Sequence, residues 1–420
     1  MRVFFIIPSL GTGGAERVGV IIANGLHKRG HEIVVFTNLQ MRKDYTLDKG
    51  IECIDIGFKR NKLIKWFMTI RLLRLLTKVK KPDVVIGIMS ICSLVGYIAT
   101  IGLRIPVVET IHSSMEKPNC APMSLWERLY KFYISRIYTF VTVLTEADRK
   151  VVSNNHKMIV MPNPLALEPK RDISIKEKII LAAGRLDDWH YKGFDVLIKA
   201  WEKIVKSEEL IVNRYGWKLQ IAGTGSEKSL NFLKGLCIEN GVEDSVEFLG
   251  FQKDIEKLYQ KASIFVLSSR YEGFGLVLIE AMSQGCACIA CDYKGRQKEI
   301  LSPEGLVQGS RFKVQAPSSS PKGESLTPNP SPKGEGELPT DSHRFTQKEE
   351  TRNSHVEVCE AGILCEPDNV DALAEAMRKM ITDDDYRESV RMKAVERSKY
   401  YSLENTTDRW EYLLNQLVEK

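Results

Sequence analysis

The sequence has few of the features of a secreted or disulfide-bonded protein. Its nine cysteines follow no regular spacing, and the apolar start, VFFIIPSL, leads into glycines where a signal peptide would have a cleavage site. We therefore expect reduced thiols and a cytoplasmic protein. Cys286, Cys288 and Cys291 lie close together, but no second cysteine or histidine pair stands at ligand spacing. This pattern favours a buried strand over a metal site.

The sequence also has only a small excess of positive over negative charge. A net charge of +6 on 420 residues does not by itself indicate a nucleic-acid-binding protein. One run without charge, Val84 to Leu103, is long enough to cross a bilayer. Its first part is β-branched, and its second part holds serine, threonine, tyrosine and glycine. We expect a buried strand followed by a buried helix, with a transmembrane span as the alternative.

Short β-branched stretches alternate with helical patterns along most of the chain, which predicts parallel sheets covered on both faces. The fold class is therefore α/β, with two tandem Rossmann-like, doubly wound domains at 1–165 and 166–402. Ligands of such folds bind in the cleft at the carboxyl ends of the strands. A segment at 303–355 is rich in proline, serine, glycine and charge. It predicts a disordered surface insertion, with a docking segment as the alternative.

The glycine-rich loop GTGG, residues 11–14, joins the first strand to the first helix. Glycines there let backbone amides approach a phosphate at a helix N-terminus. The dinucleotide fingerprint fails, because its third glycine would fall at Glu16. The second strand also ends in Thr37 and Asn38, without the acid that binds ribose. This loop therefore argues against a dehydrogenase.

Two cations, Arg185 and Lys192, flank the loop that follows the first strand of the second domain. Fixed cations at the carboxyl end of a parallel strand suit a diphosphate, and they would stabilise its charge as a leaving group. On these residues alone, a solvated basic loop is an equal alternative.

Residues 271–285, YEGFGLVLIEAMSQG, carry Glu272 and Glu280 around an apolar run. Buried carboxylates are unfavourable without partners. The hydroxyls of a sugar nucleotide would supply donors, with the hexose at one acid and the ribose at the other. We expect Glu272 in a loop and Glu280 about two turns into the next helix, whose first amides would face a phosphate or sugar. These amides belong to Phe274, Gly275, Leu276 and Val277.

Several blocks, in the right order, resemble family-four retaining glycosyltransferases, which have the GT-B fold. They span nearly the whole chain and read GGAERV, GRLDDWHYKGFD, IAGTGSE, VEFLGF, SSRYEGFGLVLIEAMSQG and AGILCEPDNVDALAEAM. The resemblance implies a nucleotide-sugar donor whose sugar contacts Glu272 and whose ribose is held by Glu280. It implies that Arg185 and Lys192 bind the diphosphate.

The same resemblance places the amides of Gly13 and Gly14 near the donor phosphates or the acceptor. It matches His112 to a cleft histidine, against the alternative of a solvated loop histidine. It also implies a front-face reaction in which the departing phosphate is the base. No cofactor or metal is expected, because no Asp-x-Asp motif is placed to hold one. The C-terminal helix, 403–420, would cross back onto the first domain, and the insertion at 303–355 is the main departure from the family pattern.

A basic stretch, residues 59–81, has no acid before Asp83. Its apolar residues, with Trp66 and Phe67, can share one helical face, which is typical of a membrane-surface anchor; a solvated helix is the alternative. We expect a peripheral protein at the inner face of the plasma membrane, with a glycan or polyprenyl-linked glycan acceptor and no nucleic-acid partner. The donor is expected to be a UDP-sugar, with GDP-mannose as the runner-up. A sugar-nucleotide epimerase and a non-catalytic sugar-binding subunit are the alternatives from other classes.

Overall fold

A computed structural model describes residues 1–11, 13–41, 44–57, 62–117, 122–152, 157–170, 176–207, 216–302 and 356–418. These residues form two α/β domains, each built on a seven-stranded sheet. The segment expected to be a disordered insertion, 303–355, lies outside the described residues, as does the beginning of the basic stretch at 59–61.

The first sheet is parallel throughout. Its strands are β1 Arg2–Ile6, β2 Glu32–Thr37, β3 Glu52–Asp55, β4 Val84–Ile88, β5 Val107–Thr110, β6 Phe140–Val143 and β7 Met158–Val160. They lie in the order β3-β2-β1-β4-β5-β6-β7. In the centre, Phe5 pairs with Val35 on one side and with Ile86 on the other. Because both faces are covered by helices, these strands consist of nearly continuous apolar residues.

Helices cover both faces of this sheet. They are α1 Gly14–Lys28, α2 Lys62–Lys80, α3 Ser90–Thr100, α4 Leu125–Phe132 and α5 Glu146–Val151. On one face, Val18 and Ile22 of α1 pack against Phe5 and its neighbours. On the other, Leu73 of α2 and Val95 of α3 pack against Phe4. The sheet therefore separates two apolar cores, and its strand ends define the edge at which the loops cluster.

The second sheet repeats this plan with one reversed strand. Its strands are β8 Glu177–Ala183, β9 Lys218–Ala222, β10 Val246–Gly250, β11 Ala262–Leu267, β12 Ala287–Cys291, β13 Val356–Cys359 and β14 Gly362–Cys365. They lie in the order β10-β9-β8-β11-β12-β14-β13. Only the edge pair β13–β14 is antiparallel among the strand pairs in the described part of the chain.

The helices of the second domain follow their strands at short spacing. They are α6 Trp189–Lys192, α7 Phe194–Ser207, α8 Glu227–Asn240, α9 Ile255–Lys261, α10 Leu276–Ser283, α11 Arg296–Leu301, α12 Val370–Thr382 and α13 Asp384–Ser398. Helix α8 shows how local sequence sets their ends. The Ser226 hydroxyl accepts a hydrogen bond from the Ser229 amide, and Gly241 ends the helix in the left-handed conformation.

The last helix, α14 Leu403–Val418, packs against the first domain. Its Trp410 and Leu414 join the core that contains α1 and β1. Outside this core, Arg29 contacts Asp408 and Glu411, with N–O distances of 2.5 and 2.7 Å. The C-terminal segment thus leaves the second domain and covers the first.

The predicted fold class, α/β with two doubly wound domains, is confirmed. The run from Val84 to Leu103 forms β4 and α3, so the expected strand and helix are present. Among the described residues, no helix is both long and apolar enough to cross a membrane. Cys288 and Cys291 enter the two cores on opposite faces of the second sheet, which fits a buried strand. The sequence patterns missed the short strands β3, β7 and β13.

Candidate functional site

The residues predicted to bind a ligand lie in loops at the carboxyl ends of both sheets. The glycine-rich loop follows β1, and His112 follows β5 in the first domain. Arg185 follows β8, and Glu272 follows β11 in the second. A Cβ atom placed on Gly273 would lie 3.2 Å from the Ser114 amide nitrogen, so the Glu272 loop touches the loop of the first domain that contains His112. Loops of both domains therefore meet at one cleft.

Glu272 forms an ion pair with Lys192. The sequence analysis predicted that Glu272 contacts the donor sugar and that Lys192 binds the diphosphate. The Lys192 ammonium contacts Glu272 Oε1, and the Ser269 hydroxyl donates a hydrogen bond to the same oxygen at 3.1 Å. The Glu272 side chain is 14% exposed and the Lys192 side chain is 24% exposed, so both can still reach a ligand in the cleft. The sugar-binding and diphosphate-binding candidates are thus neighbours.

Arg185 is more open to solvent than Lys192. Its guanidinium is 79% exposed and contacts Asp188 with an N–O distance of 2.6 Å. A Cβ placed on Gly184 would lie 3.2 Å from Lys192 Cγ, so the lysine side chain passes directly against the residue before Arg185. The structure therefore brings the two cations to one loop, although Arg185 contacts an acid of that loop.

Arg270 connects this cation loop to the Glu272 loop, and sequence reasoning missed it. Its guanidinium donates two hydrogen bonds to Asp195, at 2.7 and 2.8 Å, and contacts Asp368 at 2.6 Å. It also donates to the His190 carbonyl oxygen at 2.6 Å. The hydrogen bond to Asp195 and the neighbouring acids raise the pKa of Arg270 further above its usual value.

Close backbone approach completes the junction of these two loops. The Ser268 hydroxyl donates to the Lys192 carbonyl oxygen at 2.8 Å. Gly193 has φ of +64°, and a Cβ there would collide with the Ser268 carbonyl oxygen. Only glycine fits at this position without strain. The backbone at Lys192 and Gly193 is therefore held closely against the Glu272 loop.

Glu280 is buried and paired with Arg17 of the first domain. Arg17 Nη1 lies 2.7 Å from Glu280 Oε1, and the Tyr259 hydroxyl donates to the other oxygen at 3.4 Å. The Glu280 side chain is only 3% exposed. Burial raises the pKa of Glu280, and the charge of Arg17 acts against this rise. Arg17 was missed as a site residue, although it lies in the block GGAERV.

The position of Glu280 along its helix corrects the sequence prediction. Helix α10 begins at Leu276, so Glu280 is its fifth residue and lies little more than one turn from the N-terminus. The prediction of two turns was wrong. At a rise of 1.5 Å per residue, Glu280 lies about 6 Å along the helix axis from Leu276.

The start of α10 faces the glycine-rich loop of the first domain. A Cβ on Gly14 would lie 3.5 Å from Leu276 Cδ1. Gly13 is the N-cap residue of α1, and Gly275, with φ of +92°, is the N-cap of α10. Phe274 is buried, and its ring lies 5.7 Å from the Tyr401 ring. Two helix N-termini, α1 and α10, therefore open towards the same region, while Val277 sits in the first turn of α10.

His112 is partly buried and both of its ring nitrogens have protein partners. Nδ1 lies 3.1 Å from Asn163 Oδ1, and Nε2 lies 2.9 Å from the Thr110 hydroxyl. Burial lowers the pKa of His112 to about 4, although the contact with Asn163 acts in the opposite direction. The ring is therefore neutral at pH 7 and is held in place, unlike a solvated loop histidine.

A second set of contacts joins the domains beyond the cleft. The Glu299 carboxylate accepts hydrogen bonds from the backbone amides of Glu146 and Ala147 at 2.7 and 2.6 Å. Arg296, fully buried, contacts the buried Asp148 at 2.7 Å. These contacts hold α11 against the N-terminus of α5. They set the relative position of the two domains without belonging to the predicted ligand site.

Family models match both domains of this chain. The model described as Glycosyltransferase Family 4 matches residues 12–169, and the model described as Glycosyl transferases group 1 matches residues 166–318. An uncharacterized glycosyltransferase of Haemophilus influenzae is 30% identical over 303 residues, which are 71% of this chain and 82% of the relative.

Two further proteins resemble this chain. An undecaprenol-diphosphate-glycan α-1,4-N-acetyl-D-galactosaminyltransferase of Campylobacter jejuni is 28% identical over 325 residues, covering 74% of this chain and 85% of the relative. The crystal structure of HepE from Anabaena in complex with UDP and glucose has a TM-score of 0.67 at 17% identity, with 98% of this chain and 99% of that chain covered. The chain therefore belongs to the glycosyltransferase family described by these two models, and its fold is GT-B.

Proposed function

We propose that this glycosyltransferase moves a hexose or N-acetylhexosamine from a UDP-sugar to a glycan or lipid-linked glycan, with retention of anomeric configuration. The observation that carries the proposal is the pairing of two acids with two cations at one cleft: Glu272 with Lys192, and Glu280 with Arg17. Glu272 would hold the donor sugar and Glu280 the ribose. The UDP and glucose bound to HepE support a UDP-sugar donor. The name of the Campylobacter relative supports transfer of an N-acetylhexosamine to a lipid-linked glycan.

The geometry supports a reaction in which leaving-group charge is stabilised by the protein. When the bond between the anomeric carbon and the diphosphate oxygen breaks, negative charge grows on the diphosphate. Lys192, Arg185 and the first amides of α10 would stabilise it, so that no metal cofactor is required. The acceptor hydroxyl then attacks from the same face and gives its proton to the departing phosphate.

Two residues are poorly suited to alternative roles. Glu272 already contacts the Lys192 ammonium, so a covalent glycosyl-enzyme at this carboxylate would require that ion pair to break first. His112 has partners at both ring nitrogens, so we assign it to shaping the cleft and not to proton transfer. These contacts favour the front-face route over a double displacement.

We also propose that α2 holds the protein at the inner face of the plasma membrane. Its exposed surface combines the apolar Phe67, Leu75 and Val79 with the exposed cations Arg71 and Lys78. This differs from the sequence expectation of one apolar face, since Trp66 and Leu73 pack on the domain instead. An exposed surface of mixed apolar and basic residues suits an anionic bilayer.

Two cations of the basic stretch have other roles. The Arg74 guanidinium donates to the carbonyl oxygens of Ala99 and Ile101 at 3.1 and 2.9 Å. Lys80 pairs with Glu52 at 2.7 Å. Membrane binding is therefore assigned to the remaining exposed cations of α2 and not to the whole stretch.

A panel of nucleotide sugars tests the proposed donor. Each candidate is added to the protein, and the shift in melting temperature is measured, followed by a transfer assay with the best binder. A ligand at about 100 times its Kd stabilises the folded state by roughly 2.7 kcal/mol. UDP-sugars are expected to stabilise, and GDP-mannose is the competing candidate. If no nucleotide sugar stabilises the protein, or if bound sugar is epimerised without transfer, the proposal fails.

A further inference from the structure

The first domain contains a cavity that the donor site does not use. Its volume is about 640 Å³, and it lies between α2, the start of α3 and α4. This volume is within the usual range for a site that holds one small molecule. The deep walls are apolar and include Ile6, Cys92, Val95 and Ile111.

One end of this cavity reaches the cleft. Ala15, His112 and Ser113 line it there. A Cβ placed on Gly273 would lie 3.4 Å from Ser113 Cα, so the cavity wall touches the loop that carries Glu272. A molecule in the cavity can therefore present one end to the position where the donor sugar would be held.

The other end opens on an exposed apolar rim. Ile91 is 59% exposed and Trp126 is 56% exposed, and both line the cavity. The partly buried Lys65 and Trp66 of α2 also line the cavity, and they lie between Ile64 and Phe67, which are exposed on the same helix. Soluble proteins seldom leave such side chains together in water unless they bind something apolar. The rim is thus continuous with the surface that we assign to the membrane.

The composition of the walls indicates the class of ligand. Polar residues such as Asn38, Ser90 and Thr110 also line the cavity, but most of its wall area is apolar. Most hydroxyls of a glycan would therefore lose their hydrogen bonds with water there. A hydrocarbon chain loses none and gains contact. One buried cation of the walls, Lys131, bonds to the loop that contains His112 and suits a phosphate attached to such a chain. Lys131 also contacts Glu127 at 3.0 Å and the Ser114 carbonyl oxygen at 2.6 Å.

We propose that this cavity binds the phosphate-proximal part of the hydrocarbon chain of a lipid-linked acceptor. The chain enters from the bilayer at the rim of Ile91 and Trp126, and the sugar attached to its phosphate lies at the His112 end. This inference rests on the proposed function, since it assigns the lipid of the acceptor. A polyprenyl chain and a linear alkyl chain share the required chemistry.

Calorimetric titration of the full chain with farnesyl diphosphate tests the proposal. UDP is present at saturation, so that the diphosphate group cannot bind at the donor site, and inorganic diphosphate is the control ligand. Burial of several CH₂ groups predicts that farnesyl diphosphate binds at least about 100-fold more tightly than inorganic diphosphate. Dodecyl phosphate, compared with farnesyl phosphate, shows whether the cavity prefers branched or linear chains.

Substitutions at the rim and inside the cavity test where the hydrocarbon chain binds. Ile91→Asp places a charge at the exposed rim, where folding is not at risk, and we expect about tenfold weaker binding of farnesyl diphosphate. Ile101→Asp is the matched control, because Ile101 is 54% exposed just past the other end of α3. Val95→Phe fills the cavity from inside and should also weaken binding, provided that its melting temperature shows a folded protein.

The outcomes separate this inference from the proposed function. If farnesyl diphosphate binds no better than inorganic diphosphate while UDP binds normally, the cavity proposal is wrong and the donor assignment stands. If Ile91→Asp and Ile101→Asp weakened the binding of farnesyl diphosphate equally, the cavity proposal would also be wrong, because the hydrocarbon chain would then bind outside the cavity. A protein that does not bind UDP at all would instead contradict the donor assignment.

Discussion

Arg17 in the first domain and Glu280 in the second form an ion pair across the cleft, with Arg17 Nη1 2.7 Å from Glu280 Oε1. The Glu280 carboxylate is buried, and the Tyr259 hydroxyl donates a hydrogen bond to its other oxygen. A carboxylate in such surroundings tends to take up a proton. The first domain thus supplies a charge that opposes protonation of this acid. An ionised Glu280 would accept hydrogen bonds from both hydroxyls of the ribose that we propose it holds.

Replacing Arg17 by Gln should therefore make UDP binding dependent on pH. Burial raises the pKa of Glu280, and loss of Arg17 removes the main opposing charge, so the pKa rises further. At neutral pH a larger fraction of Glu280 is then protonated, and UDP affinity falls by about tenfold. Affinity should recover as the pH rises, because Glu280 loses its proton. Calorimetry between pH 6 and pH 9 measures the effect.

Arg17→Lys is the control for this pH profile, because it keeps the positive charge. Its UDP affinity should stay closer to that of the wild type and change less with pH. Arg17→Gln with weak but pH-independent UDP binding would show that Arg17 merely holds the domains together and does not act on Glu280.

Replacing Lys192 by Gln should mainly slow the reaction. Removal of one contact that stabilises leaving-group charge typically lowers turnover by about 10²–10³-fold. Arg185 is exposed and contacts Asp188, so Arg185→Gln should lower turnover less than Lys192→Gln does. Steady-state kinetics give both values. If both variants raised KM and left kcat unchanged, these cations would contribute to substrate binding and not to stabilisation of the transition state.

Metal removal is a separate test of the same electrostatic assignment. We expect transfer to continue in EDTA, because Lys192, Arg185 and the α10 amides would supply the positive field. Loss of activity in EDTA, restored by manganese, would contradict this mechanism.

Much of the fold and part of the site could be predicted because the relevant signals are local. Glu272 and Glu280 lie eight positions apart around one loop and one helix start, so a short block shows both. Arg17 lies in a recognisable block as well, yet its partner depends on how two domains close. No short-range pattern carries that information.

Arg270 illustrates the same limit within one domain. Its acidic partners, Asp195 and Asp368, lie 75 and 98 residues away in sequence. The face of α2 was also wrongly assigned from its pattern, because Thr69 and Thr77 are buried while Phe67 is exposed. Propensity and periodicity could not reveal a helix whose outer surface is itself apolar.

Arg270→Ala should impair both stability and turnover. The guanidinium is 12% exposed and joins the cation loop to the Glu272 loop, so its removal leaves Asp195 without its partner. We expect a lower melting temperature and a loss of about 1–3 kcal/mol, below the range for fully buried pairs. Arg270→Lys should rescue part of the stability but less of the turnover, because a single ammonium cannot reproduce the bidentate contact. If Arg270→Lys restored stability and turnover to the same extent, Arg270 would have a purely structural role.

Replacing Arg71 and Lys78 together by Gln should release the protein from anionic vesicles. Each cation near an anionic bilayer contributes about 1 kcal/mol, so loss of two predicts roughly 30-fold weaker binding. High salt should have a similar effect on the wild type. Lys228→Gln with Lys234→Gln, on α8 of the second domain, removes the same charge elsewhere and is the control. Identical sedimentation of both double variants would contradict a membrane role for α2.

Calorimetric titration of UDP into the wild type, Glu280→Gln and Glu272→Gln tests the donor site most directly. Glu280→Gln removes the charge that we assign to ribose binding and should weaken UDP by about tenfold or more, since a hydrogen bond to a charged group is worth roughly 1.5–3 kcal/mol. Glu272→Gln should leave UDP affinity nearly unchanged, because UDP carries no sugar at that position, while abolishing transfer. Equal UDP affinity in the wild type and Glu280→Gln would contradict the account.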